Sequence, residues 1–106
     1  MQLNRNQIIK ILKNGGIGIM PTDTIYGLVG QALNKKTVER IYKVRRRSPD
    51  KPLIILISST NDLKLFGIRL QKETEDILAR CWPGAVSIIL PCEYKKFEYL
   101  HRGTKT

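Results

Sequence analysis

Apolar positions along this chain switch between two spacings. Downstream of Asn4, the residues Ile8, Ile9 and Leu12 form one stripe at helical spacing and Gly15-Gly16 closes the run, which predicts a first helix over Asn4 to Asn14. Ile17, Ile19 and Met20 then read as a short buried strand stopped by Pro21, with a loop from there through Leu28. Asn34 offers a cap for a second helix. In that helix Val38, Ile41 and Tyr42 face inward, and Arg45 follows on the same side one turn later.

Two prolines in Ser48-Pro49-Asp50-Lys51-Pro52 end that helix. Leu53 to Ser58 is a continuous aliphatic run, the mark of a strand covered on both faces. A helical turn is expected from Thr60 to about Gly67, then a helix from Gln71 to Cys81 with Ile77, Leu78 and Cys81 as its buried stripe. Trp82-Pro83-Gly84 ends that helix, and Val86 to Leu90 reads as a third strand. Alternating helices and strands predict an α/β domain with helical cover on a sheet. Three strands make a thin sheet, and a chain of 106 residues burying only this much would be marginal. It is expected either to associate or to be the N-terminal part of a larger domain.

Composition narrows the class. Hydrophobic residues are 42% and charged residues 26%, ordinary globular usage. The longest apolar run, Leu53 to Ile57, is far short of a bilayer span, and the charged, amide-rich N-terminus lacks the apolar core of an export signal. A cytoplasmic protein with no membrane partner is expected. Nineteen Lys and Arg against nine Asp and Glu give a net charge of +10. Between Lys35 and Lys51 eight basic residues meet only Glu39 and Asp50, so six of those ten charges fall within seventeen residues. A polyanionic partner or an anionic substrate would suit such a segment, although a solvated helix face reads the same way. Cys81, Cys92 and the lone His101 lack metal-ligand spacing, so no metal site is expected and the thiols read as structural.

The segment Pro21-Thr22-Asp23-Thr24-Ile25-Tyr26-Gly27-Leu28 follows a strand directly. Its hydroxyls and carboxylate would emerge at a strand end, where open α/β sheets keep ligand crevices. They can orient a small polar substrate by donating and accepting hydrogen bonds, or simply satisfy a turn.

Four blocks in order carry a resemblance. They are Gly15 through Leu28, Arg40-Ile41-Tyr42 leading to Arg45-Arg46-Arg47, Lys51-Pro52-Leu53-Ile54, and Trp82-Pro83-Gly84-Ala85-Val86-Ser87. Together they closely resemble the YrdC-like family of threonylcarbamoyl-adenylate synthases. The resemblance implies a twisted open mixed sheet with helices packed on it, in a single domain over 1–106 that is truncated at its C-terminus. It also implies an ATP-dependent enzyme that joins L-threonine, bicarbonate or CO2 and the AMP part of ATP, releasing pyrophosphate, with Mg2+ accompanying the nucleotide. The product would serve threonylcarbamoyladenosine modification of tRNA, bringing the chain into contact with the tRNA-modification machinery. By position, Thr24 with its neighbour Thr22 would hold L-threonine. Arg47, Lys51 and Thr106 would contact ATP, and Arg45 with Arg47 would stabilise charge at the α-phosphorus.

Departures accompany the resemblance. The family's segment reads Lys-x-Arg-Pro, and Arg45 stands at its lysine position; an arginine fork does not mimic a compact ammonium. Leu56 stands where many members place a histidine near the threonine site. The family's later Arg-x-Pro strand and Ser-x-Asn segment have no counterpart before Thr106, so a half-built site is expected unless another chain supplies the remainder. Two alternatives are a structured-RNA-binding module of the same fold and a relative running a different ATP-dependent reaction.

Overall fold

The computed structural model describes residues 3–21 and 25–106. Asn4 opens α1 (Arg5–Lys13) through a reciprocal box in which its side-chain oxygen accepts the Gln7 N–H at 2.8 Å and Gln7 Oε1 accepts the Asn4 N–H at 2.9 Å. Gly15, at φ 85°, turns the chain out of the helix. Its N–H bonds Leu12 O and that of Gly16 bonds Ile11 O, the paired closure of a Schellman motif.

β1 (Ile17–Pro21) follows and pairs antiparallel with β2 (Tyr26–Gly30), Ile17 opposite Gly30 and Pro21 opposite Tyr26. Here the structure corrects two expectations. The stretch expected to be loop through Leu28 is half strand, because Tyr26–Gly30 pairs with β1 and satisfies its backbone groups. Nor is β1 buried, since Ile19 is 73% exposed.

α2 (Lys35–Arg45) is capped by Asn34, whose side-chain oxygen accepts the Thr37 N–H at 3.2 Å, and it buries Thr37, Val38, Ile41 and Tyr42. Gly30 is where the helix meets β2. A Cβ there would lie 2.6 Å from Thr37 Cγ2, 3.0 Å from Ile41 Cδ1 and 3.2 Å from Ile17 Cγ2, so only the bare backbone admits the approach. The Thr37 hydroxyl adds a bond to Gly15 O at 2.8 Å, tying α2 to the turn that launches β1.

Contacts divide the chain into two compact units, Met1–Pro49 and Asp50–Thr106. The second is built on short helices: a 3-10 helix Thr60–Phe66, α3 (Lys72–Cys81), a 3-10 turn Lys95–Phe97 and α4 (Glu98–His101). Leu78 of α3 is fully buried, and the Phe66 and Phe97 rings pack at 5.8 Å between centroids. Ile77, expected in the buried stripe, is instead 55% exposed. The tail's aromatic residues therefore contribute a small apolar cluster. His101 is buried within it; Nδ1 accepts the Gly103 N–H at 3.1 Å, leaving Nε2 to donate to Tyr94 O at 3.2 Å.

The two aliphatic runs expected as strands are not in the sheet. Among the described residues the only ladder is β1–β2. Positions 53–57 run without helix, turn or bend and make no backbone hydrogen bond among the described residues. Positions 86–90 are alike, except that Val86 O accepts the Trp82 indole N–H at 2.7 Å. An aliphatic run supplies the side chains of a central strand, but neighbouring strands have to supply its ladder.

Candidate functional site

The basic cluster stands at the end of α2. Arg45 is its last residue and is exposed, Arg46 adopts the left-handed conformation at φ 50°, and Arg47 beyond it is half-buried. The Arg46 N–H bonds Lys43 O at 3.2 Å and the Arg47 N–H bonds Tyr42 O at 3.1 Å, a second Schellman closure. The 3-10 helix Thr60–Phe66 ends the same way at Gly67, which like Gly15 is a glycine at positive φ. An arginine in that conformation costs about 1 kcal/mol or more. Part of this is offset because cations favour the negative end of a helix dipole.

This turn fixes the backbone of Arg45, Arg46 and Arg47 at one helix end, with Arg45, expected at the α-phosphorus, exposed and Arg47 half-buried. Thr22 and Thr24, expected to hold L-threonine, lie outside the described residues. Pro21 and Tyr26, on either side of them, form the last pair of the ladder, at the end away from the Ile17–Gly30 pair. Lys51 is exposed at the start of the second unit, and Thr106 is exposed with its hydroxyl 3.2 Å from that of Thr104. Leu56, the departure at the family's histidine position, is 70% exposed.

Along the outward face of α2, Lys35, Lys36, Glu39, Arg40 and Lys43 line an open hollow of about 360 Å3. Sequence reasoning missed Thr37, which holds α2 in place. Its only signal was a hydroxyl on the apolar stripe, three residues after the capping asparagine. It also missed Asp62, which gathers the Ser58 hydroxyl at 2.8 Å and the Ser58 and Ser59 N–H groups. The Ser58 hydroxyl, followed by those two N–H groups, holds the Asp62 carboxyl below its ordinary range.

Burial pushes the Cys92 thiol and the Tyr99 phenol up. Cys92 donates to Phe66 O at 3.6 Å, which makes it a packed thiol rather than a nucleophile. Among the described residues no group of three His, Cys, Asp or Glu side chains is placed to hold a metal ion. No helix among them is long and apolar enough to cross a membrane.

Comparison with known proteins decides the family. The Sua5/YciO/YrdC family model, described as "Telomere recombination", matches residues 10–106. The chain belongs to this family. Its relatives include proteins named threonylcarbamoyl-AMP synthase. That of Pyrococcus abyssi is 36% identical over 76% of this chain and 24% of its own length. For Bacillus subtilis the figures are 33%, 82% and 25%. For Nitrosococcus oceani they are 30%, 77% and 44%.

A solved structure of a Pyrococcus abyssi Sua5 double variant superposes with TM-score 0.83 at 28% identity, covering 98% of this chain and 33% of that one. The mixed α/β fold of the Sua5/YciO/YrdC family is therefore present. The chain spans 24% to 44% of the length of these curated relatives.

Proposed function

We propose that this chain takes part in making threonylcarbamoyl-AMP. The amine of L-threonine forms a C–N bond with CO2, losing a proton, and a carboxylate oxygen of the resulting carbamate attacks the α-phosphorus of ATP. Pyrophosphate leaves with the electron pair of the broken P–O bond. The observation that carries this reading is the match of residues 10–106 to a family whose relatives bear that enzyme's name.

Arg45 and Arg47 are the groups for the charge that spreads over the phosphate oxygens, since guanidinium forks make charge-assisted bonds to them. Lys51 and Thr106 complete the ATP contacts, and Thr22 and Thr24 receive L-threonine. Orientation rather than activation is what the carbamate needs, so holding it against ATP supplies much of the rate. Magnesium enters with the nucleotide's phosphates.

A second reading, contact with structured RNA, is favoured by the basic outward face of α2. One experiment separates the two: ATP binding and threonine- and bicarbonate-dependent pyrophosphate release, measured for Arg47→Ala and Lys36→Ala. Arg47→Ala is expected to abolish nucleotide binding while Lys36→Ala leaves it unchanged. Equal losses would mean that diffuse charge, not a pocket, holds the nucleotide.

A further inference from the structure

We infer that His101, as a neutral imidazole, is the positioning residue for the segment Gly103–Thr106 and, through it, for the Thr106 hydroxyl. Its effect on nucleotide binding rests on the reaction proposed above, in which Thr106 contacts ATP; the latch itself does not. His101 is 5% exposed, whereas every residue from Gly103 to Thr106 is exposed. An exposed stretch gains little order from apolar burial, so hydrogen bonds have to supply it.

Those bonds start from His101. Its Nδ1 accepts the Gly103 N–H at 3.1 Å, and its carbonyl accepts the Thr104 N–H at 2.9 Å and the Thr104 hydroxyl at 2.6 Å. Further along, the Cys92 N–H bonds Lys105 O at 2.8 Å, and the Thr104 and Thr106 hydroxyls lie 3.2 Å apart. One buried residue thus begins a series of hydrogen bonds that ends at the hydroxyl of Thr106.

The backbone shows that the segment is held rather than merely placed. Arg102 at φ 55°, Gly103 at φ 88° and Lys105 at φ 62° are all left-handed. Glycine adopts that conformation freely, arginine and lysine at a cost, and such strain persists only where the surroundings over-determine it. The imidazole does so from both of its nitrogens. Nε2 donates to Tyr94 O at 3.2 Å and anchors the ring on the chain before the 3-10 turn, which leaves Nδ1, bare of a proton, to hold the segment after α4. A histidine that only filled the core would also need partners for its nitrogens, but nothing would require one of them to lie on the exposed segment that bears Thr106.

Measurements on the 106-residue chain test this. In the wild type, the nitrogen chemical shifts of the His101 ring are expected to show Nε2 protonated and Nδ1 bare. His101→Gln places its amide at the Nε2 end of the ring, where it still reaches Tyr94 O, and leaves nothing at Nδ1. Thr104→Val, at an exposed position, removes the hydroxyl bonded to the His101 carbonyl and leaves the core intact. In both variants the amides of 103–106 are expected to exchange about tenfold faster, as the loss of one hydrogen bond implies. Both variants, and Thr106→Val, should weaken ATP binding about tenfold. Because they act through one contact, His101→Gln/Thr106→Val should bind ATP no more weakly than Thr106→Val alone, whereas independent losses would multiply. Thr104→Val/Thr106→Val gives the same comparison should the buried substitution unfold the chain.

A proton on Nδ1 in the wild type, wild-type exchange at 103–106 in the variants, or multiplied losses in the double variant would each overturn the inference. So would a Thr106→Val that weakens ATP binding while the two latch variants leave it unchanged. Faster exchange in the latch variants of a chain that binds no ATP, or whose affinity Thr106→Val leaves unchanged, would leave the latch standing and count against the proposed reaction.

Discussion

The hairpin Ile17–Gly30 and the run Leu53–Ile57 reverse what their compositions suggest. The hairpin carries three glycines and a proline in its two strands, poor material for a sheet, yet it is fully paired in register. The run is five consecutive leucines and isoleucines and pairs with nothing among the described residues. Pairing is decided by whether a partner is within reach. β2 lies close to β1 in sequence and pairs with it, and α2 then packs on β2 through Gly30, Thr37 and Ile41. Strand propensity matters only once that condition is met.

Three substitutions probe this difference, beginning with the most damaging. Gly30→Val places a strand-favouring residue in a strand, but its Cβ would meet Thr37 Cγ2 at 2.6 Å. Overpacking outweighs propensity, and a loss of about 2–3 kcal/mol is expected in chemical denaturation. A stabilised variant would show that α2 can move off the hairpin freely.

Thr37→Val keeps the shape and removes the hydroxyl that reaches Gly15 O. A half-buried carbonyl left without its donor costs about 1 kcal/mol, and Thr37→Ser should recover most of it. No change in unfolding midpoint would mean that water replaces the hydroxyl. Ile54→Thr, on the unpaired run, is expected to alter stability by no more than about 0.5 kcal/mol, the range for exposed positions. A cost comparable with that at Gly30 would show that the run is covered in solution.

Much of the fold was legible because its signals are local. Asn4 and Asn34 cap their helices as read, Gly15 ends α1 and Gly67 ends the 3-10 helix Thr60–Phe66, and Val38, Ile41 and Tyr42 form the buried stripe of α2. The strand Tyr26–Gly30 was not legible, since two glycines in five residues and the polar stretch before it read as loop. Of the candidate site, the sequence located the arginines at the foot of α2. It could not show that Arg46 takes the left-handed position usually given to glycine, because nothing in a run of three arginines marks which one turns the chain.

Although the short helical turns at Lys95–Phe97 and Glu98–His101 were not read from the sequence, the chain's periodicity, its capping residues and its four family blocks determine by themselves where the longer helices run, where the positive charge gathers and which family the protein joins. These depend on neighbours within a few residues, or on residue identity alone. Tertiary structure decided which strands pair, how closely α2 lies on β2, and that two aliphatic runs remain open. A ladder or a packed face depends on what distant segments bring to it, and no local pattern encodes whether that partner is present.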